Sequence, residues 1–280
     1  MVKMSPILLG LSLALAGASL APAQDASTAP SLPLVLQITR EYVKPYKEGM
    51  AHDKTESAFI ATMNKAKFPA YYVGLDSLSG RSRALFLTRY ASFAEWEQDN
   101  KIVAKDHTLA AAIERDELAD GELLDEVDSA VYTYNAGLSY SVHPDITHAR
   151  YMEITVFKVK LGHRAGWHEL MKMVKDANDK AGSSSHWACY EIAYGADDGT
   201  YILLSADKSM SDIDDGFAEG KKFVEAMGGE EGMKKLDALY GETVESSHSE
   251  LFSINPNQSY LPAEWIKADP AFWTHKPPAN

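Results

Sequence analysis

The chain has 280 residues, 45% of them hydrophobic, with 27 basic against 40 acidic side chains and a formal net charge of −13. That is enough apolar material for a large core in one or two domains, which excludes a disordered chain, and so acidic a surface argues against nucleic acid or an anionic membrane as partner. Cys189 is the single cysteine, so no internal disulfide can form and the fold must rest on its core.

Residues 1–23 carry Lys3, an apolar run from Ile7 to Leu20 and the small-residue sequence Ala21-Pro22-Ala23. This pattern predicts a signal peptide cut near Ala23 and a periplasmic or secreted protein. The run is shorter than the roughly 20 residues a membrane span needs, and no later stretch approaches that length. A lipid-anchored export signal is excluded, because no cysteine stands at the cut. Residues 24–33, rich in Ala, Ser, Thr and Pro, read as a flexible leader.

From Leu34 to Val43 the residues Leu36 and Ile38 alternate with Gln37 and Thr39, the period of a strand with two unlike faces. A helix is expected from about Glu48 to Lys67, with Thr55, Ala58, Phe59, Thr62, Met63 and Ala66 on its inner side, and Pro69 stops it. Two strands, Ala70 to Leu75 and Arg83 to Tyr90, flank a turn-rich stretch and form a hairpin. Ser92-x-x-Glu95 then opens a helical segment reaching Leu118, and Ala130 to Tyr134 is a short closing strand.

The same series recurs. Tyr151 to Lys160 alternates Met152, Ile154 and Val156 with Glu153, Thr155 and Phe157, and the next helix places Trp167, Leu170, Met171, Val174, Ala177 and Ala181 on one side. A second hairpin spans Ser185 to Ala206, and Ser209-x-x-Asp212 opens helical sequence from Ile213 to Tyr240, broken at Gly228-Gly229. Glu250 to Ile254 closes the series. Gln37-Ile38-Thr39 matches Glu153-Ile154-Thr155 at a shift of 116, Ser92 matches Ser209 at 117, and Asn135…Ser139-Tyr140 matches Asn255…Ser259-Tyr260 at 120. Ordered shifts with so little drift are what duplication leaves.

Each copy therefore reads βαββαβ. The expected fold is α+β: two tandem ferredoxin-like modules, residues 34–142 and 150–260, packed sheet to sheet as a pseudo-dimeric α/β barrel. A tail, residues 261–280, carries Trp265, Phe272 and Trp273 among prolines and is expected to clamp aromatic anchors onto the barrel or a second copy. In module order and strand parity, from Leu34 to Tyr260, the chain resembles the dimeric α/β-barrel superfamily. Within it the chain resembles the tandem NIPSNAP-like and antibiotic-biosynthesis-monooxygenase-like proteins. Cofactor-free monooxygenases, chlorite dismutases and dye-decolourising peroxidases belong to the same superfamily. The resemblance implies a fold and a set of activities, and no family-specific catalytic motif chooses among them.

If the apolar strand faces lie under the helices, the mixed faces meet between the sheets. On that reading Gln37, Thr39, Glu153, Thr155 and Phe157, with Arg89, His186 and Tyr190, line a pocket for a small, partly apolar ligand. Glu153, far from a sheet edge, would need a cationic partner or a proton, with Arg83, Arg89, His186, Tyr190 and His248 the groups of suitable type. Tyr132, Tyr134, Tyr71, Tyr72 and Trp187 are further candidates for the lining. Two other readings stand beside ligand binding: a monooxygenase- or haem-peroxidase-like oxidoreductase, and a non-catalytic module that forms a homodimer. His163 and His168 lie five apart, about 140° around a helix, and cannot share one metal ion. His143, Asp145 and His148 have the right atoms for a metal but the setting of a solvated connector. No metal site is expected and no cofactor is required. The resemblance leaves haem as the alternative cofactor, with His168 or His186 as axial ligand. Phosphate-loop, serine-hydrolase and His-Glu-x-x-His motifs are absent from the sequence.

Overall fold

The computed structural model describes residues 32–142 and 145–274. The signal peptide, all but the end of the leader, and His143 lie outside the described residues. The first half contains β1 (Val35–Val43), α1 (Met50–Ala66), β2 (Tyr72–Ser77), β3 (Ala84–Tyr90), α2 (Phe93–Lys105), α3 (His107–Gly121) and β4 (Leu124–Tyr134). The second contains β5 (Tyr151–Val159), α4 (Arg164–Ala181), β6 (Ala188–Tyr194), β7 (Thr200–Asp207), α5 (Met210–Ala218), α6 (Gly220–Met227), α7 (Gly229–Thr243) and β8 (Val244–Tyr260). Two short helices follow, α8 (Ala263–Ala268) and α9 (Pro270–Trp273). Among the described residues no helix is long and apolar enough to cross a membrane.

All eight strands pair antiparallel and close one barrel in the order β1-β3-β2-β8-β5-β7-β6-β4, with β4 returning to β1. Within each half the spatial order is fourth, first, third, second. The halves join where β2 pairs with β8 and where β4 pairs with β6. Closure removes every exposed sheet edge.

The expected helix starts form as read. Glu95 N–H donates to Ser92 Oγ (3.1 Å) and Ser209 N–H to Asp212 Oδ2 (3.0 Å), which satisfies amides that would otherwise be orphaned at the helix starts. The matched Asn…Ser-Tyr segments tie the two halves together reciprocally. Ser139 Oγ, at the end of the first half, accepts from Cys189 N–H of β6 (2.9 Å) and donates to Asn135 O (2.8 Å). Ser259 Oγ, at the end of the second, accepts from Gly74 N–H of β2 (2.9 Å) and donates to Asn255 O (2.7 Å). Gly74 is required here, since a Cβ would lie 2.3 Å from Gln258 O.

Several boundaries differ from the sequence reading. The segment ending at Leu118 is two helices, because Asp106 ends α2 and its carboxylate caps α3 through Thr108 and Leu109 N–H (3.0 Å each). The closing strands are much longer than their apolar centres, 11 residues for β4 and 17 for β8. Their outer parts are polar, and ladder hydrogen bonds hold them in the barrel regardless of side-chain hydropathy.

The facing of the strands is opposite to the expectation. Leu36 and Ile38 of β1 and Met152 and Ile154 of β5 join Val73, Leu75, Leu85, Leu87, Tyr132, Tyr190, Ile202, Phe252 and Ile254 in one core that draws on every strand, the inside of the barrel. Gln37, Thr39, Glu153, Thr155 and Phe157 therefore point outward, toward the helical layer. A closed barrel's interior is sealed on all sides and takes the drier face. The outer face is only partly covered by helices and tolerates mixed polarity. The apolar helix stripes find their partners on the second and third strands of each half, as Tyr72 and Phe86 beneath α1 and Cys189 and Tyr201 beneath α4 show.

The tail closes one end of the barrel. Trp265 and Trp273 join the interior core, and Trp273 Nε1 donates to Thr147 O (2.7 Å).

Candidate functional site

Between the first half's sheet and helices α1 and α3 lies a cleft of about 460 Å³. Gln37, Thr39 and Glu41 enter it from the outward face of β1, Glu56, Phe59 and Met63 from α1, and Asp116 and Asp120 from α3. Tyr72 and Phe86 form an aromatic floor, with ring centroids 5.6 Å apart and nearly perpendicular. His52 and Glu56 stand four residues apart on the inner stripe of α1, which is rotated from the expected one: the buried set is His52, Glu56, Ile60 and Met63.

His52 is 1% exposed and Glu56 6%. His52 Nε2 lies 3.1 Å from Glu41 Oε2 and 3.5 Å from Asp120 Oδ1. One donor atom from each of Glu41, His52, Glu56 and Asp120 falls within 4.8 Å of all the others. Thr55 Oγ1 donates to Asp120, and Thr62 Oγ1 donates to Asp116, so both α3 carboxylates are held against α1. Glu56 has no hydrogen bond or ion pair among the described residues, and the Tyr72 hydroxyl is buried without a partner.

The electrostatics follow from three carboxylates sharing one imidazole in a dry place. Burial, then the charges of Glu41 and Asp120, push the Glu56 carboxyl well above its ordinary range. Glu41 rises as well, through burial, against the opposing hydrogen bond to His52. For His52, burial favours the neutral ring, but Asp120 and Glu41 outweigh it and raise the imidazolium to about 10.

The second half supplies the support behind the histidine. Gln258 of β8 donates through Nε2 to Asp53 Oδ1 (2.8 Å) and reaches His52 Nδ1 (3.3 Å), while its Oε1 is buried without a partner. Asn255 Nδ2 donates to Asp53 Oδ1 (2.9 Å) and Asp76 Oδ2 (2.6 Å). Gln258 is thus anchored by Asp53 behind His52 Nδ1, while Nε2 of the same ring is the nitrogen that faces Glu41 and Asp120.

The residues singled out from the sequence do not form one site. Gln37 and Thr39 line this cleft. Glu153 faces outward beside Asp207 and His186, where burial and Asp207 raise its carboxyl against the pull of His186. Arg83 pairs with Glu250 instead, and His248 is exposed beside the same carboxylate. Thr155 hydrogen-bonds Ser249 (2.8 Å), and Phe157 packs on Trp167 with centroids 4.9 Å apart. Arg89, His186 and Tyr190 meet at a different cavity, at the end of the barrel. Glu41, His52, Glu56 and Asp120 were not assembled from the sequence, although a His and a Glu at four-residue spacing within a helix's buried stripe are a signal it contains.

Of the two histidines expected as haem ligands, only His186 borders a cleft, one of about 750 Å³ that it shares with Glu153 and Asp207. His168 is exposed on α4, and the ring nitrogens of His186 lie 3.3 Å from Ser184 O and 3.1 Å from Ala206 O. Beneath α4 the space is filled by Trp167, Leu170 and Met171. In the first half, one imidazole among three carboxylates suits a divalent cation with open coordination, whereas porphyrin iron offers only axial positions.

No protein-family model matches the sequence, and no curated protein matches it. Solved structures do resemble the fold. A protein named as a monooxygenase from Fusobacterium nucleatum subsp. nucleatum aligns with TM-score 0.51 at 9% identity, over 80% of this chain and 93% of its own. A substituted chlorite dismutase from Candidatus Nitrospira defluvii aligns with TM-score 0.50 at 11% identity, over 88% of this chain and 99% of its own. The chain shares the dimeric α+β barrel fold of these proteins, and at such identities the likeness is one of fold.

Proposed function

We propose that the chain, read as two tandem ferredoxin-like modules and exported after cleavage near Ala23, binds a divalent cation through Glu41, His52, Glu56 and Asp120. Over that ion, in the aromatic cleft, it binds a small, partly apolar molecule bearing oxygen donors, of the catechol or quinol kind. The observation that carries the reading is the convergence of four donor atoms within 4.8 Å, one of them on Glu56, a buried side chain with no hydrogen bond or ion pair among the described residues. In the metal-free protein burial and neighbouring acids favour the protonated Glu56, and a cation bound at the cluster would take the place of the protons on Glu56 and His52. One nitrogen with three carboxylates favours Mn²⁺ or Fe²⁺ over the all-oxygen preference of Ca²⁺ and Mg²⁺. Such an ion would supply Lewis acidity and one-electron chemistry. Glu41, Glu56 and Asp120 would hold it, Gln258 would orient His52, and Phe59, Tyr72 and Phe86 would bracket an aromatic ring. Oxidoreductase chemistry is the reaction class this arrangement favours.

Purified full-length protein dialysed against Mn²⁺ and assayed by elemental analysis should retain one ion per chain. Gln258→Ala should weaken retention by about 10- to 100-fold, and His52→Ala should abolish it. 4-Nitrocatechol should then show a shifted absorption band with the Mn²⁺-loaded protein and not with the metal-free protein. Absence of stoichiometric metal would remove the reading.

A further inference from the structure

The barrel interior is apolar through its middle, and the inward-facing charges toward one end are paired, Arg40 with Asp128 and Arg83 with Glu250. On β3 the inward positions are Leu85, Leu87 and Arg89, so Arg89 brings a guanidinium to the end of a hydrocarbon-lined barrel. There it borders a cavity of about 130 Å³ walled by Leu36, Val73, Leu87, Met152 and Leu204 and closed by Trp265 from the tail. Arg89 is half-buried, and its guanidinium carbon lies 5.3 Å from the Trp265 ring centroid. No carboxylate or hydrogen-bond acceptor among the described residues pairs with it. The polar groups nearby are already engaged: the Tyr190 hydroxyl donates to Pro33 O (3.2 Å) and His186 Nε2 contacts Ala206 O (3.1 Å).

Each of these facts narrows the occupant. A cavity of this size lined by aliphatic side chains holds a molecule on the scale of one benzene ring, since a cavity of roughly 150 Å³ does so elsewhere. A cation at its mouth with no acidic partner among the described residues selects a ligand with one anionic end, and the planar fork of arginine matches a carboxylate in particular. Trp265, stacked against the cation, can pack a flat ring on its remaining surface. At the matching position of the second half, Ala206 replaces the arginine and leaves room beside it. Aliphatic packing would close the barrel end at least as well as a charged side chain, so stability alone does not call for Arg89.

We infer that the barrel end is a second ligand site, separate from the metal cleft, which takes a small monocarboxylate with a single-ring or branched aliphatic body. The carboxylate pairs with Arg89, and the body lies among Leu36, Val73, Leu87, Met152 and Leu204. The site lies inside the barrel, whereas the cleft lies outside it, so each can be occupied without the other.

Benzoate titrated into the full-length protein tests this, followed by tryptophan fluorescence, to which Trp187 and Trp265 at the cavity contribute, and by calorimetry. Benzoate should bind and its affinity should fall with salt, while benzamide, the neutral isostere, should bind about tenfold or more weakly. Arg89→Gln should cut benzoate affinity by about tenfold or more and bring it level with benzamide. Leu204→Trp should block both. Glu56→Gln, which alters the cleft alone, should leave benzoate binding unchanged even if it abolishes metal binding. Equal binding of benzoate and benzamide to the unaltered protein would overturn the inference whether or not Arg89→Gln folds. So would the absence of any binding, or benzoate affinity that survives in a folded Arg89→Gln protein.

Discussion

The two halves place different chemistry at corresponding points of one architecture. α1 and α4 both end in a left-handed residue, Lys67 and Gly182, and counting back from these caps sets His52 against Trp167 and Glu56 against Met171. The ladders pair Val43 with Leu124 and Val159 with Val244. From those pairs Glu41 corresponds to Phe157, Asp116 to Leu236 and Asp120 to Tyr240. Five ionisable groups in one half thus stand where four apolar side chains and Tyr240 stand in the other, and that set packs as one cluster beneath α4 with Trp167 fully buried. A helix pair can therefore be fixed to this sheet without any charge. The first half keeps a buried ionic set that packing does not need, and an uncompensated set of this kind lowers stability. That contrast is the physical case for function in the first half and scaffold in the second.

The comparison breaks most visibly at Trp167. Trp167→Ala should destabilise the protein by about 3–5 kcal/mol, because it empties the centre of the second half's outer core, while metal retention in the first half persists under native conditions. Calorimetric melting with elemental analysis reads both; loss of metal from the folded protein would show that the halves are not separable. A sharper form converts one half into the other. The triple variant Glu41→Phe, His52→Trp, Glu56→Met should raise stability by about 1–4 kcal/mol and abolish metal binding. It should also flatten the pH profile. In the metal-free protein Glu41, Glu56 and His52 all bind protons more tightly folded than unfolded. Their stabilisation is complete below the unfolded values, about 4.5 for Glu and 6.5 for His, and is lost as pH rises through the folded ones. Melting temperature should therefore fall from about pH 5 toward pH 10 in the parent and hold level in the variant. A triple variant that melts lower than the parent would mean that the ionic set holds the half together. The smallest effect probes the features the halves share. Ser139→Ala and Ser259→Ala each leave a buried amide, of Cys189 or Gly74, without its acceptor and should cost about 1–3 kcal/mol alike in denaturant melts. A large cost at one site and none at the other would undo the symmetry of the two seams.

Much of this architecture is legible along the chain. The strand alternations, the Ser92 and Ser209 helix starts and the repeated Asn…Ser-Tyr segments are local patterns, set by backbone geometry and by hydrogen bonds a few residues long. The candidate site was less legible. Gln37 and Thr39 were found because they alternate with Leu36 and Ile38, but alternation separates two faces without saying which one turns inward. Glu41 and Asp120 lie 79 residues apart in sequence and meet only because α1 and α3 pack side by side on one sheet. Arg89 reads as an ordinary polar residue near a strand end until the barrel closes around it.

By itself, then, the sequence determined the order of elements, the positions of caps and turns, and the division of each first strand into an apolar and a mixed face. These depend on neighbours within a turn or a strand pair. Tertiary structure decided the rest: that the sheets fuse into a closed barrel, that the apolar faces fill it, that four distant donors converge on one side, and that the tail's Trp265 roofs a cavity bordered by Arg89. The physical reason is the same in each case. Burial and electrostatic partnership depend on which surfaces are sealed from water, and that is settled only when distant segments have closed around one another.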